Sequence, residues 1–437
     1  MRNRCGRILL LSTIVLITWP VLAADIVIEH VAVVHPSDGS VERDVTVVIR
    51  GERIIGVSRA ARVAPNARVV DGRNKYLIPG LWDMHVHLGS VTSAEAQLAH
   101  GVAAGIVGVR DMGTPLDQAL TIRAAIRADH GPEVYICGPL LNGDLPFRTP
   151  LIVNVTTPEG ARATVDQLLD ADVDFIKVHD VLESRVYDAI AAACRRRGMP
   201  FAGHVPVSVT AAHAAAQKQR SIEHLGGRFY SVLIACSRDE HALAGQMRHL
   251  LANLEAEMRA GKEPDDRVLF SADLTRHIAD TFDTVKADAL LAQFIKHHTW
   301  NCPTMVSMPL LQARADPAMS PSDREAADAA IKKVDTIVRR IASETGRLLA
   351  GTDASLVSGK LPDELERLAA AGVAPLDVLR AATLNPARFL GRTEDFGEVR
   401  EGMVASLVLL DGNPLEAVSN TRRVAVVILR GRIVRQP

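Results

Sequence analysis

His85 and His87 flank a single valine in the run Pro79-Gly80-Leu81-Trp82-Asp83-Met84-His85-Val86-His87. On an extended strand, side chains two apart share a face, so both imidazoles can converge on one metal ion. Two histidines alone are weak evidence, and the chain supplies companions downstream. Asp174-Phe175-Ile176-Lys177-Val178-His179 places a lysine inside a β-branched segment, where a buried ammonium needs compensation. Phe201-Ala202-Gly203-His204 and Ser221-Ile222-Glu223-His224 each end a short apolar run with histidine, and Leu348-Leu349-Ala350-Gly351-Thr352-Asp353 ends one with aspartate. The order is His-x-His, Lys, His, His, Asp.

With these residues the chain resembles the amidohydrolase superfamily, in the branch near imidazolonepropionase and the metal-dependent Xaa-Pro or Xaa-Arg dipeptidases. The runs Ala382-Thr383-Leu384-Asn385-Pro386-Ala387-Arg388 and Leu409-Leu410-Asp411-Gly412-Asn413-Pro414-Leu415 extend the resemblance to the far end of the chain. It implies two divalent ions: His85, His87 and Asp353 holding the first, His204 and His224 the second, and Lys177, carboxylated by carbon dioxide, bridging them. The chemistry agrees with that expectation. Carbamate formation turns a buried cation into an anion with two metal-binding oxygens. Two ions can share a hydroxide that is nucleophilic near neutral pH while one polarises a carbonyl, which suits amide hydrolysis. Asp353 is then the expected proton shuttle. The mixed histidine and oxygen set suits zinc and tolerates manganese, iron or cobalt. His179 shares the strand face of Lys177 and is read as a pocket residue rather than a ligand.

The elements that must position these groups follow from the pattern of the chain. From Ile26 to about Leu77 apolar and polar residues alternate between turn signals such as Ser37-Asp38-Gly39, and Ser406–Leu410 and Val424–Val434 repeat that style. Between them, short apolar runs alternate with helical stretches including Pro158–Leu169, Ser184–Arg197 and Pro362–Ala371. The fold expected is α/β, a distorted TIM (β/α)8 barrel whose strand ends carry the chemistry, with a small β-sandwich built from both chain ends. The divisions are 24–78 and 391–437 for the sandwich and 79–390 for the barrel. A helix-prone insertion at about 226–298 leaves the catalytic end in the position of a lid, ahead of a strand at Thr299–Met308. At its base, Arg228 and Tyr230 are candidates to bind a substrate carboxylate and polarise a carbonyl.

Composition narrows the partner. The 437 residues are 48% hydrophobic, enough for a large core, and carry a net charge of −1 without long single-sign runs, which argues against nucleic acid. Arg2, Arg4 and Arg7 precede an apolar stretch from Ile8 to Trp19, with a cut expected ahead of Ala24, so residues 1–23 read as a signal peptide for export to the periplasm or medium, leaving no stable membrane insertion. Cys137, Cys194, Cys236 and Cys302 are widely spaced and predict no particular bridge. The expected substrate is a small amide, a dipeptide or N-acyl amino acid. A cyclic-amide hydrolase and a non-catalytic metal-binding barrel are the alternatives, and self-association of the chain is left open.

Overall fold

The computed structural model describes residues 25–436 apart from 60–64, 90–92, 129–130, 145–148, 229 and 263–270. The expected signal peptide, and Asp265-Asp266-Arg267 within the insertion, lie outside the described residues.

The alternating ends of the chain form one eight-stranded sheet. Its central strand Ile26–Val34 pairs antiparallel with Val41–Arg50, which pairs with Arg53–Ser58, and runs parallel to Tyr76–Pro79 and to Arg68–Asp71. The C-terminal strand Leu407–Leu410 then lies antiparallel on Tyr76–Pro79, with Leu407 opposite Pro79, followed outward by Val424–Leu429 and Arg432–Arg435. The outer strand Arg53–Ser58 also reaches the segment ahead of Leu407, where Ile54 N donates to Met403 O at 2.9 Å. Val45, Val47 and Ile49, every second residue of one strand, are buried with Ile28, Leu77, Leu409 and Ile428, which is the physical content of the alternation.

The middle of the chain is TIM-barrel-like. Parallel strands Leu81–Val86, Ile106–Asp111 and Glu133–Ile136 form one sheet. Leu140–Asn142, Ile176–Val178, Phe201–Gly203, Ser221–Glu223 and Trp300–Cys302 form a second, with Ile152–Asn154 on its edge. Isolated bridges Asn301–Leu348 and Val86–Ala354 link the two sheets on one side, and Asp174 N donates to Ile136 O (2.8 Å) on the other, although the ladders do not close into a single ring among the described residues. Most residues of these strands are buried, and their apolar runs are broken by buried polar groups such as Asp83, Arg110, Lys177 and Glu223.

Helices pack outside. Pro158–Asp170 begins where Thr157 Oγ1 accepts from Gly160 N at 3.0 Å and Pro158 occupies the first turn. Ser184–Arg197 stops at Gly198, whose φ of +65° suits glycine, and buries Val186, Tyr187, Ile190 and Cys194. All four described cysteines are buried free thiols. The long connection after His224 is helical, comprising Ser231–Ala235, Glu240–Arg259, Ala272–Asp280 and Thr284–His297. One expectation is corrected: the strand predicted over Thr299–Met308 ends at Cys302. Pro303 supplies no N–H for the ladder and Thr304 turns left-handed (φ +47°), so Met305–Ser307 becomes a 3-10 turn.

A buried amide staples the strand ends beneath the site. Gln219 Nε2 donates to Gly203 O (2.8 Å), His204 O (3.2 Å) and Ser221 O (3.1 Å), while its Oε1 accepts the Tyr187 hydroxyl at 2.7 Å. Tyr187→Phe keeps the ring and leaves Gln219 Oε1 without that donor, so unfolding stability should fall by about 1–3 kcal/mol, read as a lower urea midpoint at unchanged m-value.

Candidate metal centre

His87, His204, His224 and Asp353 each lie just past the C-terminal end of a strand or strand-like run, with His85 and Lys177 next to the last residue of theirs. They face one cavity of about 360 Å³, also lined by Leu140, Leu151, Ile152, His179, Arg228, Tyr230, Met308 and Pro309. Asp353 Oδ1 is 3.1 Å from His87 Nε2 and 3.3 Å from His85 Nε2, and Asp353 Oδ2 is 3.9 Å from His224 Nε2. The His204 and His224 rings are 4.9 Å apart, and those of His85 and His224 4.5 Å. All six residues expected to bind metal are therefore brought together.

Each of the four histidines is held through Nδ1. His85 Nδ1 meets Glu223 Oε2 at 2.9 Å, His87 Nδ1 meets Gly113 O at 3.0 Å, and His204 Nδ1 meets Asp180 Oδ1 at 2.7 Å. His224 Nδ1 meets Thr304 Oγ1 at 2.5 Å; that hydroxyl donates to Pro303 O, so it accepts from the ring. A carbonyl, carboxylate or committed hydroxyl at Nδ1 selects the tautomer with hydrogen there and leaves Nε2 with its lone pair, the form a divalent ion requires. His85 Nε2 is buried without a hydrogen bond, an orphan that a cation would satisfy. The donor set thus fits divalent metal. His204 Nδ1 also groups with Asp180 and His179 as ligand-type atoms, and His85 Nδ1 with Glu223 and Cys302.

Electrostatics follow from burial. Desolvation holds His85, His204 and His179 well below the ordinary imidazole value and lowers His224 and the Lys177 amine as well. Lys177 is 1% exposed, and no hydrogen bond or ion pair engages its amine among the described residues. For Asp353, burial alone would raise the carboxyl, yet the charges of His224, His87 and Lys177 overcome it and hold the group well below the carboxylate range. His87 is raised: Asp353 outweighs the desolvation that would lower it.

Backbone strain concentrates at the same place. His224 (φ +54°), Leu225 (+54°), Tyr230 (+50°), Thr304 (+47°) and Asp353 (+51°) are all left-handed non-glycine residues, and Thr304 is β-branched, the least tolerant type. Gly227 (φ +93°) packs so closely that a Cβ would meet Asp180 Oδ1 at 2.6 Å and His204 Nδ1 at 2.7 Å. Beyond it, Arg228 is exposed at the cavity, and Tyr230 is 5% exposed, its phenol raised by burial. His179 lines the cavity with Nδ1 3.2 Å from Asn142 Nδ2.

The supporting partners went unread in the sequence. Glu223, fully buried, also accepts Arg110 Nη2 at 3.0 and 2.9 Å and the Ser221 hydroxyl, while Arg110 Nε donates to Met84 O at 2.7 Å. Asp83 accepts His85 N (3.2 Å), Thr352 N (3.0 Å) and Thr352 Oγ1 (2.7 Å), tying the first strand to the loop of Asp353. The available signal was the one that exposed Lys177: charged residues inside apolar strand runs, as at Arg110 and Glu223.

Two measurements probe this scaffold. Glu223→Ala leaves the Arg110 guanidinium buried without its carboxylate, so stability should drop by about 3–5 kcal/mol in urea titrations, with Glu223→Gln losing less. Glu364, buried on the helix Leu361–Ala370, accepts Val306 N at 2.9 Å and is pushed by burial from 4.5 to about 8. Its unfolded carboxyl ionises first, so the folded state keeps the extra proton: stability is full below pH 4.5 and is lost as pH rises through about 8. Asp83, raised by burial to about 7, acts in the same sense. Glu364→Gln should therefore flatten the decline between about pH 5 and pH 9, and an unchanged slope in denaturation at the two pH values would contradict this.

Residues 76–434 match the pattern of the amidohydrolase family. A segment is 30% identical to an adenine deaminase of Staphylothermus marinus, covering 34% of this chain and 24% of that protein, so the match spans about a quarter of that relative. Among solved structures, a protein of Bifidobacterium longum provisionally assigned as a prolidase superposes with TM-score 0.71 at 22% identity, over 95% of this chain and 96% of that one. A Xaa-Pro dipeptidase with bound methionine in its active site gives TM-score 0.68 at 19% identity, over 94% and 99%. A prolidase complexed with N-methylphosphonate-L-proline gives 0.68 at 20% identity, over 95% and 100%. These likenesses share the fold, and with the family pattern running from the last strand before the barrel almost to the final residue, the chain belongs to the amidohydrolase family.

Proposed function

We propose that this chain is an exported, binuclear metal-dependent hydrolase of a carbon–nitrogen amide bond, in a dipeptide or an N-acyl amino acid. The observation that carries the reading is the convergence of four histidines, each fixed at Nδ1, on Asp353 beside a buried lysine. His85, His87 and Asp353 would hold one ion, His204 and His224 the other, with zinc the first candidate. Such ions supply Lewis-acid polarisation of a carbonyl and an activated water. The neutral Lys177 amine favoured by burial is the form that adds carbon dioxide, and its carbamate would bridge. We further assign residues 1–23 to the export signal and both chain ends to a small β-sandwich beside a distorted TIM (β/α)8 barrel.

The chain's own residues have defined tasks in this reading. Asp353, whose carboxyl is held well below the usual carboxylate range, accepts a proton at Oδ and returns it to the leaving nitrogen. Arg228 pairs with the substrate carboxylate, and the Tyr230 hydroxyl donates to the carbonyl oxygen as charge develops there. His179, anchored at Nδ1, walls the cavity.

Elemental analysis after preparation with zinc and bicarbonate should give two ions per chain, and one ion at full activity would exclude the binuclear centre. Lys177→Arg should lose the second ion, because a guanidinium does not readily form the carbamate. Asp353→Asn, loaded with metal, should turn over about 10²–10⁴-fold more slowly on amides.

A further inference from the structure

The cavity histidine outside the expected ligand set carries its hydrogen on the opposite nitrogen from the four within it. Resting on the amide-hydrolase reading, we infer that Asn142 sets His179 as a neutral Nε2–H donor, and that this N–H meets the carbonyl oxygen of the scissile amide beside His204.

Asn142 ends one parallel strand and His179 follows the end of its neighbour, with His179 N donating to Leu141 O at 3.0 Å. Asn142 is buried, and its Oδ1 accepts from Gly143 N at 3.1 Å and Val181 N at 2.9 Å. Two backbone donors cannot face an amide NH2, so the oxygen is fixed there and Nδ2 is turned to His179 Nδ1, 3.2 Å away. Nδ2 only donates, and Nδ1 must therefore accept. An imidazole whose Nδ1 accepts is neutral and holds its one hydrogen on Nε2. Asp180 does not compete: its Oδ2 stands 3.5 Å from Nδ1, beyond hydrogen-bond length, and its Oδ1 serves His204. His85, His87, His204 and His224 are held the other way, with hydrogen on Nδ1 and the lone pair on Nε2. His179 thus offers the cavity a donor where they offer ligand atoms. Its Nε2 has no partner among the described residues, and the ring lines the cavity and packs on His204 with centroids 4.1 Å apart. The His204 ring is in turn 4.9 Å from that of His224, so the N–H stands at the end of the row of ligand rings, where the reacting carbonyl must approach. A donor already oriented from behind suits an oxygen that gains charge during amide hydrolysis, because nothing has to reorganise as the charge appears.

Nitrogen NMR of the zinc-loaded protein with isotopically labelled histidine reads the hydrogen directly, the His179 signals being identified by their loss in His179→Gln. Hydrogen on Nε2 is expected, and hydrogen on Nδ1 would show that Asp180 directs the ring and would overturn the inference. Asn142→Asp keeps an oxygen for Gly143 N and Val181 N but turns an acceptor toward Nδ1. Above neutral pH the hydrogen should then move to Nδ1, and kcat should fall by about 10²–10³-fold. A ring that only packs would not respond to this exchange, so a moved hydrogen with unchanged kcat would remove the donor role, and an unmoved hydrogen would remove the control by Asn142. His179→Leu should lose kcat to the same extent, whereas His179→Gln, whose amide N–H reaches toward the Nε2 position, should recover at least about tenfold. Equal losses in these two variants would overturn the donor whether or not Asn142→Asp folds. Losses seen with free-acid substrates and absent from their C-terminal amides would put the N–H on the substrate carboxylate and overturn the carbonyl assignment. Hydrogen on Nε2 in a protein that hydrolyses no amide would remove the function proposed above and keep the donor.

Discussion

Glu223 and Arg110, both fully buried, form the charge pair around which the candidate centre is built. Neither could be tolerated alone, because an isolated ion in the barrel interior would carry a desolvation penalty of several kcal/mol. Together they satisfy each other, with Ser221 and the Met84 carbonyl taking further hydrogen bonds, and the remaining capacity of Glu223 falls on His85 Nδ1. The guanidinium also lies over the Phe389 ring, 5.0 Å from its centroid. Strands far apart in sequence, carrying Met84, Arg110 and Glu223, are thereby locked in one register. The orientation of the first histidine is a by-product of a stability requirement.

The same logic repeats at lower intensity around the cavity. Asp180, Thr304 and the Gly113 carbonyl do for His204, His224 and His87 what Glu223 does for His85. Burial then acts on what is left: it lowers His85, His204, His224 and the Lys177 amine, while at Asp353 the neighbouring charges outweigh it and at His87 the contact with Asp353 does. Lowered imidazole values ease the offer of Nε2 to a cation, because metal binding competes with fewer protons there.

The residues that point inward were legible in the sequence because each violates its surroundings. Lys177 breaks an apolar strand, and histidines recur at strand ends where composition alone would not place them. Alternation likewise marked the terminal strands, whose pairing across more than three hundred residues is visible as Leu407 against Pro79. The outer partners were harder to see. Asp180 and Thr304 lie in loops, where a polar residue is unremarkable, and only the folded geometry shows which nitrogen each one meets. The end of the strand at Cys302 was similarly hidden: Pro303 announced it, but the apolar run through Met308 outweighed that signal when periodicity was the guide.

The left-handed residues explain how a rigid barrel presents a site at all. A strand that continued straight would carry His224 and Asp353 away from the axis, whereas a single reversal of φ at each turns the chain within one residue and keeps both over the barrel mouth. Such conformations cost about 1–3 kcal/mol each, and they persist because the ladders below and the bonds of Thr304, Asp83 and Gln219 leave the backbone no relaxed alternative. At the candidate centre the strain thus sits in the residues just past the strand ends.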